Sequence, residues 1–141
     1  MNRRRFVNLF LGGSLLGAAA SLLYPVIRYL IPPLRPETAA KSVLAAKTGE
    51  LAPNSAKIFK FGNSPAVLVN GADGQLHAFT AVCTHLNCTV RYESDTGTLY
   101  CPCHNGRFDL AGNVISGPPP KPLEAYDVTV SGSDIYVSRK A

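Results

Sequence analysis

The chain has 141 residues and a formal net charge of +5, and 46% of its residues are hydrophobic. Residues 1–35 carry five arginines and no acidic residue, whereas the remaining residues carry nine basic and nine acidic side chains, so the whole excess of positive charge belongs to the N-terminal segment. No basic surface remains for a nucleic acid, which excludes that class of partner, and the length beyond the N-terminal segment allows one domain of about 100 residues.

The first predicted element is a membrane-spanning helix at residues 6–27. The segment is apolar apart from Asn8, Ser14 and Ser21, and a helix of this length covers about 33 Å, enough for the hydrocarbon core of a bilayer. Pro25 is expected to kink or end the helix in its last turn. The alternative, a buried core helix, is disfavoured because a domain of this size cannot cover so many apolar side chains.

The arginines at positions 3, 4 and 5 precede this helix. Followed by Phe6, they resemble a twin-arginine export signal, and they also fit a positive-inside topology signal. Both interpretations place the N-terminus in the cytoplasm. Residues 38–40 are small enough for a cleavage site, but we expect residues 1–31 to remain as an uncleaved anchor. Gly13 and Gly17 form a G-x-x-x-G pattern, which allows close packing on another membrane helix.

Residues 32–41 are predicted to form a linker or hinge. Prolines at positions 32, 33 and 36 favour a stiff, extended start, and small and polar residues follow them. The composition fits a passive spacer as well as a hinge, and the prolines place any hinge after Pro36.

The remaining residues, 42–141, predict a mostly β domain built as an antiparallel sandwich. Short segments rich in β-branched and aromatic residues alternate with turn residues, and residues 71–74 have the composition of a hairpin turn. His77 lies within one of the segments and is interpreted as a structural residue. The predicted strands are residues 57–61, 66–70, 75–79, 89–92, 98–100, 107–110, 114–115, 126–130 and 135–138.

All four cysteines and two of the three histidines lie within residues 83–104. Cys83 and His85 form a C-x-H pair, and Cys101 and His104 form a C-x-x-H pair. Two loops therefore each offer one thiolate and one imidazole, which together make a four-ligand metal site. Two further interpretations stay open at this point: a structural zinc site with the same ligands, and two plain disulfides with incidental histidines.

These two motifs resemble those of the Rieske iron–sulfur protein family, whose [2Fe–2S] centre has two histidines in place of two cysteines on one iron. The resemblance implies that Cys83 and Cys101 bind one iron and that His85 and His104 bind the other. Two neutral ligands make such a centre a better electron acceptor than a four-thiolate one. Each histidine also has a second ring nitrogen that can carry a proton, which suits a quinol as electron donor.

The resemblance also assigns the other two cysteines. In membrane-bound members of the family, the residues matching Cys88 and Cys103 form a disulfide that joins the two cluster loops. A disulfide requires an oxidising compartment, so we expect the β head on the periplasmic side of a bacterial inner membrane. Residues 117–120, which alone would be an ordinary surface turn, match a family loop that covers the cluster. The residues expected at this cover are Leu86, Gly117, Pro118 and Pro119.

The family implies a fold and a function as well. The cluster loops are expected on a small subdomain at about residues 80–118, inserted in the larger β domain. The implied function is that of the Rieske subunit of a cytochrome bc-type complex, an oxidoreductase component that relays one electron from quinol to a c-type haem. His104 resembles the histidine that hydrogen-bonds the quinol, and His85 is the other exposed ligand.

The implied partners are cytochrome b-type and c-type haem subunits of a membrane complex, quinol, and the lipid bilayer. The complexes of this family are dimers. The alternative function is the Rieske small subunit of another membrane-associated oxidoreductase, such as arsenite oxidase.

The chain departs from the family pattern in both loops. Family members often read C-T-H-L-G-C and C-P-C-H-G-S-x-Y, whereas here Asn87 and Asn105 replace two glycines, and Gly106 and Phe108 replace the serine and the tyrosine. Asparagine tolerates positive φ, so we expect both turns to persist. Gly106 and Phe108 cannot donate the hydrogen bonds that the serine and tyrosine give to sulfur. Each loss lowers the expected potential by roughly 20–60 mV, which favours a menaquinol-type donor.

Overall fold

A computed structural model of the chain describes residues 2–31 and 41–140. The described residues form two compact units, an N-terminal helix and a β domain. The predicted linker at residues 32–41, with its prolines and the candidate cleavage site, lies outside the described residues except for Lys41.

Helix α1 runs over Arg3–Leu30 and none of its residues is buried. Its length and hydropathy suffice for one membrane span. Pro25 lies inside the helix and does not end it, contrary to one of the two expected outcomes. A proline removes a single backbone hydrogen bond, and the helix closes normally behind it, where the Ile31 N–H donates to the Ile27 carbonyl at 2.8 Å.

The serines inside this apolar helix satisfy their own hydroxyl groups. Ser14 donates to the Phe10 carbonyl and Ser21 to the Ala18 carbonyl, both at 2.8 Å. Because these bonds stay within the helix, the hydroxyl groups need no water, and the segment remains suited to a hydrocarbon environment.

Within residues 41–140 the structure has ten strands in two antiparallel sheets, and the prediction of a mostly β, antiparallel fold with one N-terminal apolar helix is confirmed. The larger sheet has the order β1-β10-β9-β4-β3-β2, and the smaller one has the order β5-β6-β7-β8. The strands are β1 (Ser42–Lys47), β2 (Ser55–Phe61), β3 (Ser64–Asn70), β4 (Leu76–Thr80), β5 (Arg91–Glu93), β6 (Thr98–Cys101), β7 (Gly106–Phe108), β8 (Val114–Ser116), β9 (Ala125–Ser131) and β10 (Asp134–Arg139).

The strand predicted at residues 107–110 is shorter than expected. Strand β7 ends at Phe108 because Asp109 turns the chain: its carboxylate accepts hydrogen bonds from the backbone N–H groups of Ala111 and Asn113 at 2.9 and 2.7 Å. A short acidic side chain bonded to its own downstream backbone is typical of a turn.

Strand β3 of the six-stranded sheet is buried on both of its faces. In β3, Val67 and Val69 pack into one core, whereas Ala66 and Leu68 pack into a second core on the opposite side. Successive side chains of a strand point to opposite faces, so a strand buried on both sides is a continuous apolar run. The two edge strands β1 and β2 contact each other, which curls the sheet around the second core.

The first core lies between the six-stranded sheet and the four-stranded sheet. Cys83 and Cys101 are part of it. The two predicted thiol ligands are therefore fixed by the main apolar packing of the β domain, at the point where the two cluster loops begin. The core consists of Val67, Val69, Phe79, Ala81, Cys83, Val90, Leu99, Cys101, Phe108 and Leu123.

Candidate metal centre

The first loop folds back on itself through its own backbone. The N–H of Cys83 donates to the carbonyl of Cys88 at 2.8 Å, and the N–H of Asn87 donates to the carbonyl of Cys83 at 3.0 Å. Asn87 has a φ of 59°, the positive value expected from its place in the motif. The Cys83 side chain is 1% exposed at the base of this turn, whereas Leu86, next to His85 at the tip, is 64% exposed.

The second loop is a hairpin connection between β6 and β7. Cys101, the last residue of β6, pairs directly with Gly106, the first residue of β7. The four residues between them make the turn, and Asn105 completes it with a φ of 55°. Cys101 is buried and His104 is exposed. The turn thus persists with asparagine in place of the family's glycine, as the sequence predicts.

The third loop, residues 117–120, lies directly against the second. Gly117 has a φ of 93°, and a Cβ atom added to it would lie 2.8 Å from the Cα atom of Gly106. A Cβ atom added to Gly106 would lie 2.8 Å from Cγ of Pro119. Gly117 therefore permits a close approach to the backbone of Gly106, and Gly106 leaves room for the ring of Pro119, which is buried.

A side-chain hydrogen bond joins the first loop to the residue that follows the third. The hydroxyl of Thr84 donates to the carbonyl of Lys121 at 2.7 Å. Thr84 is not among the residues that the sequence predicts to be functional. Its position between Cys83 and His85 indicates that it is part of the motif. The sequence does not indicate that its hydroxyl contacts a carbonyl 37 residues away.

The three loops surround one small space. The rings of His85 and His104 face it with centroids 4.7 Å apart and planes at 80°. Cys88 and Cys103 form a disulfide across the two loops, with 6.5 Å between their Cα atoms, and both of its sulfurs lie within 4.8 Å of the Cys101 sulfur. The space is lined by Cys83, His85, Leu86, Cys88, Cys101, His104, Gly106, Pro118 and Pro119.

Burial raises the pKa of the Cys83 thiol above its ordinary value of 9.0. A hydrogen bond from the backbone of His85 opposes this effect, and the adjacent Cys101 thiol adds to it. A metal ion bound here would displace the proton of this thiol. The backbone N–H of His85 would then contact a negatively charged sulfur, which is the favourable arrangement for a thiolate ligand.

His85 supplies a direct indication that something binds here. Its Nδ1 atom is buried and has no hydrogen-bond partner among the described residues. Burying an unpaired polar atom costs about 1–3 kcal/mol, so such atoms normally have a function. Together with the second imidazole and two buried thiols, this nitrogen completes a two-sulfur, two-nitrogen donor set, which fits a [2Fe–2S] centre with mixed cysteine and histidine ligation. Zinc accepts the same donors. The choice between zinc and an iron–sulfur cluster therefore depends on comparison with known proteins.

Comparison with known proteins identifies the domain. Residues 41–127 match the model of the Rieske [2Fe-2S] domain. The cytochrome b6-f complex iron-sulfur subunit of Chlorobaculum thiosulfatiphilum is 38% identical over 97% of this chain and 75% of its own length. The corresponding subunit of Chlorobaculum tepidum is 35% identical over 96% of this chain and 75% of its own length.

Among solved structures, the plasma membrane Rieske protein PetC3 from Synechocystis PCC 6803 is similar, with a TM-score of 0.62 and 32% sequence identity. The match covers 70% of this chain and 99% of that one. The likeness in fold therefore extends over the domain that holds the three loops. The chain belongs to the Rieske [2Fe–2S] protein family, together with the iron–sulfur subunits of cytochrome b6-f complexes.

Proposed function

We propose that this chain is the Rieske iron–sulfur subunit of a cytochrome bc-type complex and that it relays one electron from a quinol to a c-type haem. The observation that carries this proposal is the convergence of two buried thiols, Cys83 and Cys101, and two imidazoles, His85 and His104, on one space. The relatives named as cytochrome b6-f subunits, which match nearly the whole chain, support it.

Each ligand has a distinct role in the proposed centre. Cys83 and Cys101 would hold one iron as thiolates, and His85 and His104 would hold the other as neutral imidazoles. When bound, the [2Fe–2S] centre supplies one-electron transfer. His104 is exposed, so its outer ring nitrogen can meet the hydroxyl group of a quinol, and it could accept the quinol's proton when that nitrogen has first lost its own. Leu86, exposed beside it, offers an apolar contact for the docking surface of a cytochrome b-type subunit.

The proposed centre has a low reduction potential. Gly106 carries no side chain, and its Cα atom is covered by the third loop. Phe108 is fully buried and has no hydroxyl group. Neither residue can donate to a cluster sulfur, and hydrogen bonds of that kind stabilise the reduced, more negative state. We infer a donor of the menaquinol type, because a low-potential acceptor requires a low-potential quinol.

The chain is anchored in a membrane, and we place its β head on the periplasmic side of a bacterial inner membrane. The Cys88–Cys103 disulfide supports an oxidising compartment for the head. The arginines at positions 3, 4 and 5 support a cytoplasmic N-terminus and a twin-arginine export signal. The proposed assembly is a dimeric complex with cytochrome b-type and c-type haem subunits, with residues 32–41 as the linker between anchor and head.

The ligand assignment is tested by histidine substitution. His85→Ala and His104→Ala should each abolish the visible absorbance and the electron paramagnetic resonance signal of the reduced centre, because one iron loses a ligand. His77→Ala is the matched control, since His77 lies in β4 outside the three loops. Iron-free protein, or retention of the signal in either ligand variant, would overturn the assignment.

The potential is tested by a redox titration of the full-length protein. Phe108→Tyr restores one hydroxyl group and should raise the midpoint potential by roughly 20–60 mV. Phe79→Tyr, at another buried ring of the same core, should leave it unchanged. Gly106→Ser is a poorer test because its Cβ atom would contact Pro119. A wild-type midpoint equal to that of high-potential quinol enzymes would contradict the menaquinol assignment.

The assembly is tested by mild solubilisation of the native membrane. We expect b-type and c-type haem subunits to copurify with this chain, and the purified complex to oxidise a quinol. Copurification with a molybdenum subunit would instead support the arsenite oxidase type of complex and contradict the proposal.

A further inference from the structure

Tyr100 is held between two arginines on the four-stranded sheet. In the register of β5, β6 and β7, it pairs with Arg91 on one side and with Arg107 on the other. The guanidinium carbons lie 5.5 and 4.7 Å from the centroid of its ring, within the range of cation–π attraction. Arg107 is itself fixed by an ion pair with Glu93 at 2.7 Å and a hydrogen bond to Thr98 at 3.2 Å. The ring therefore has little freedom to move.

The hydroxyl of this fixed ring reaches the second cluster loop. It donates to Oδ1 of Asn105 at 2.6 Å. Asn105 directly follows His104 and has a φ of 55°, a conformation that asparagine tolerates but does not prefer. A hydrogen bond to its side chain selects this conformation over the extended alternatives. A glycine at this position would need no such support.

We propose that Tyr100 is a positioning residue for His104 and acts through Asn105. The backbone of Asn105 is the only covalent path from His104 to Gly106, which is held in β7 by its pairing with Cys101. Fixing the φ of Asn105 therefore fixes the direction from which the His104 imidazole enters the metal site. This inference rests on the proposed assignment of His104 as an iron ligand.

The molecule contains a matched pair of the same kind away from the loops. Tyr92, on β5, donates to Oδ1 of Asn54 at 2.7 Å, and Asn54 also has a positive φ, 57°. Asn54 lies in the turn before β2, and its amide donates to the carbonyl of Ser94. Removing the Tyr92 hydroxyl thus deletes an equivalent hydrogen bond that stabilises the β domain without touching a ligand loop.

The experiment compares Tyr100→Phe with Tyr92→Phe in the iron-loaded full-length protein. Tyr100→Phe keeps the ring between its arginines and loses only the hydroxyl group. It should alter the g values or line shape of the reduced centre and increase the rate of cluster loss in mild denaturant by about 3-fold to 10-fold. Tyr92→Phe should lower the thermal midpoint of unfolding about as much as Tyr100→Phe does, while its spectrum stays that of the wild type.

The double variant Tyr100→Phe/Asn105→Gly separates positioning from general stability. Because glycine adopts positive φ freely, Tyr100→Phe should have no further effect on the spectrum or on cluster loss in an Asn105→Gly background. If Tyr100→Phe alone fails to retain a cluster, recovery in the double variant supports the proposal, and failure to recover contradicts it.

Two results would overturn the inference: a Tyr100→Phe spectrum and cluster lifetime equal to those of the wild type, or a change in the spectrum of the centre in Tyr92→Phe as large as that in Tyr100→Phe. A wild-type protein with no Rieske-type signal would instead refute the ligand assignment itself, so the two failures are distinguishable.

Discussion

The two ligand loops supply the same pair of donor groups and are held by different means. The first loop is closed by backbone hydrogen bonds between Cys83, Asn87 and Cys88 within its own turn. The second depends on neighbours: the register of β6 and β7, the hydroxyl of Tyr100, and the close approach of the third loop at Gly106. Hydrogen bonds within a loop can be predicted from the short sequence motif that forms it, whereas contacts with distant segments cannot. A motif therefore predicts the ligands better than it predicts the residues that hold the ligands in place.

The largest effect should come from breaking the disulfide between the two loops. Cys88→Ser/Cys103→Ser removes a disulfide that spans 15 residues, which should lower the free energy of unfolding by about 3 kcal/mol and shorten the lifetime of the cluster. Denaturant unfolding and the decay of visible absorbance measure the two effects. A thiol reductant acting on the wild type should reproduce them, and a loss of stability well under 1 kcal/mol would contradict this role.

The dependence of the second loop on the third is tested at Gly117. Gly117→Ala combines a strained positive φ with a contact against the Gly106 backbone, and should destabilise the domain by about 2–3 kcal/mol. Gly132→Ala is the matched control, because Gly132 has a φ of 60° with open space around it and should cost only the strain, about 1 kcal/mol. Equal losses in denaturant unfolding would show that the contact adds nothing.

The support of the first loop by the residue after the third is weaker. Thr84→Val deletes the hydrogen bond to the Lys121 carbonyl while keeping the shape of the side chain, and should cost about 1 kcal/mol. The rate of cluster loss in mild denaturant and the unfolding midpoint measure the change. Thr129→Val, at an exposed position on β9, is the control. If Thr84→Val has no larger effect than this control, the hydrogen bond of Thr84 does not stabilise the first loop.

The smallest effect is expected at a surface ion pair outside all three loops. Lys57 lowers the pKa of Glu50 below its ordinary value of 4.5 through a side-chain hydrogen bond, aided by the backbone N–H of Lys47. A lowered pKa in the folded state stabilises the protein above pH 4.5, and this contribution disappears as the pH falls through the lowered value.

Glu50→Gln should therefore lower the thermal midpoint slightly at neutral pH and have no effect at a pH below the lowered pKa of Glu50. Salt should weaken the difference, because the carboxylate is exposed. The spectrum of the centre should not change at any pH at which the wild type retains it. A larger difference in thermal midpoint between Glu50→Gln and the wild type in acid than at neutral pH would contradict a lowered pKa of Glu50.

The sequence predicts the left-handed turns at Asn87 and Asn105, because the resemblance places both asparagines where the family has glycine and asparagine tolerates positive φ. The same resemblance gives the proposed ligand set, which the spacing of cysteine and histidine alone leaves open to zinc. The contacts of Thr84 with Lys121 and of Gly106 with residues 117–120 were not accessible, since they depend on how a distant segment returns to the loops. Strand β1 was not delimited for a different reason. Ala45 and Ala46 are both buried, so the segment does not alternate.

The two apolar cores of the β domain differ in whether they contain proposed iron ligands. Cys83 and Cys101 are members of the core that also contains Leu99, and a close-packed interior transmits changes in volume to its neighbours. A change of side-chain volume at Leu99 is therefore expected to shift the two sulfurs as well as the packing, so a residue outside the proposed ligand set can still affect the centre. The core around Leu68 and Val137 contains none of the four proposed ligands, so a similar change there should alter the stability of the fold without acting directly on the sulfurs.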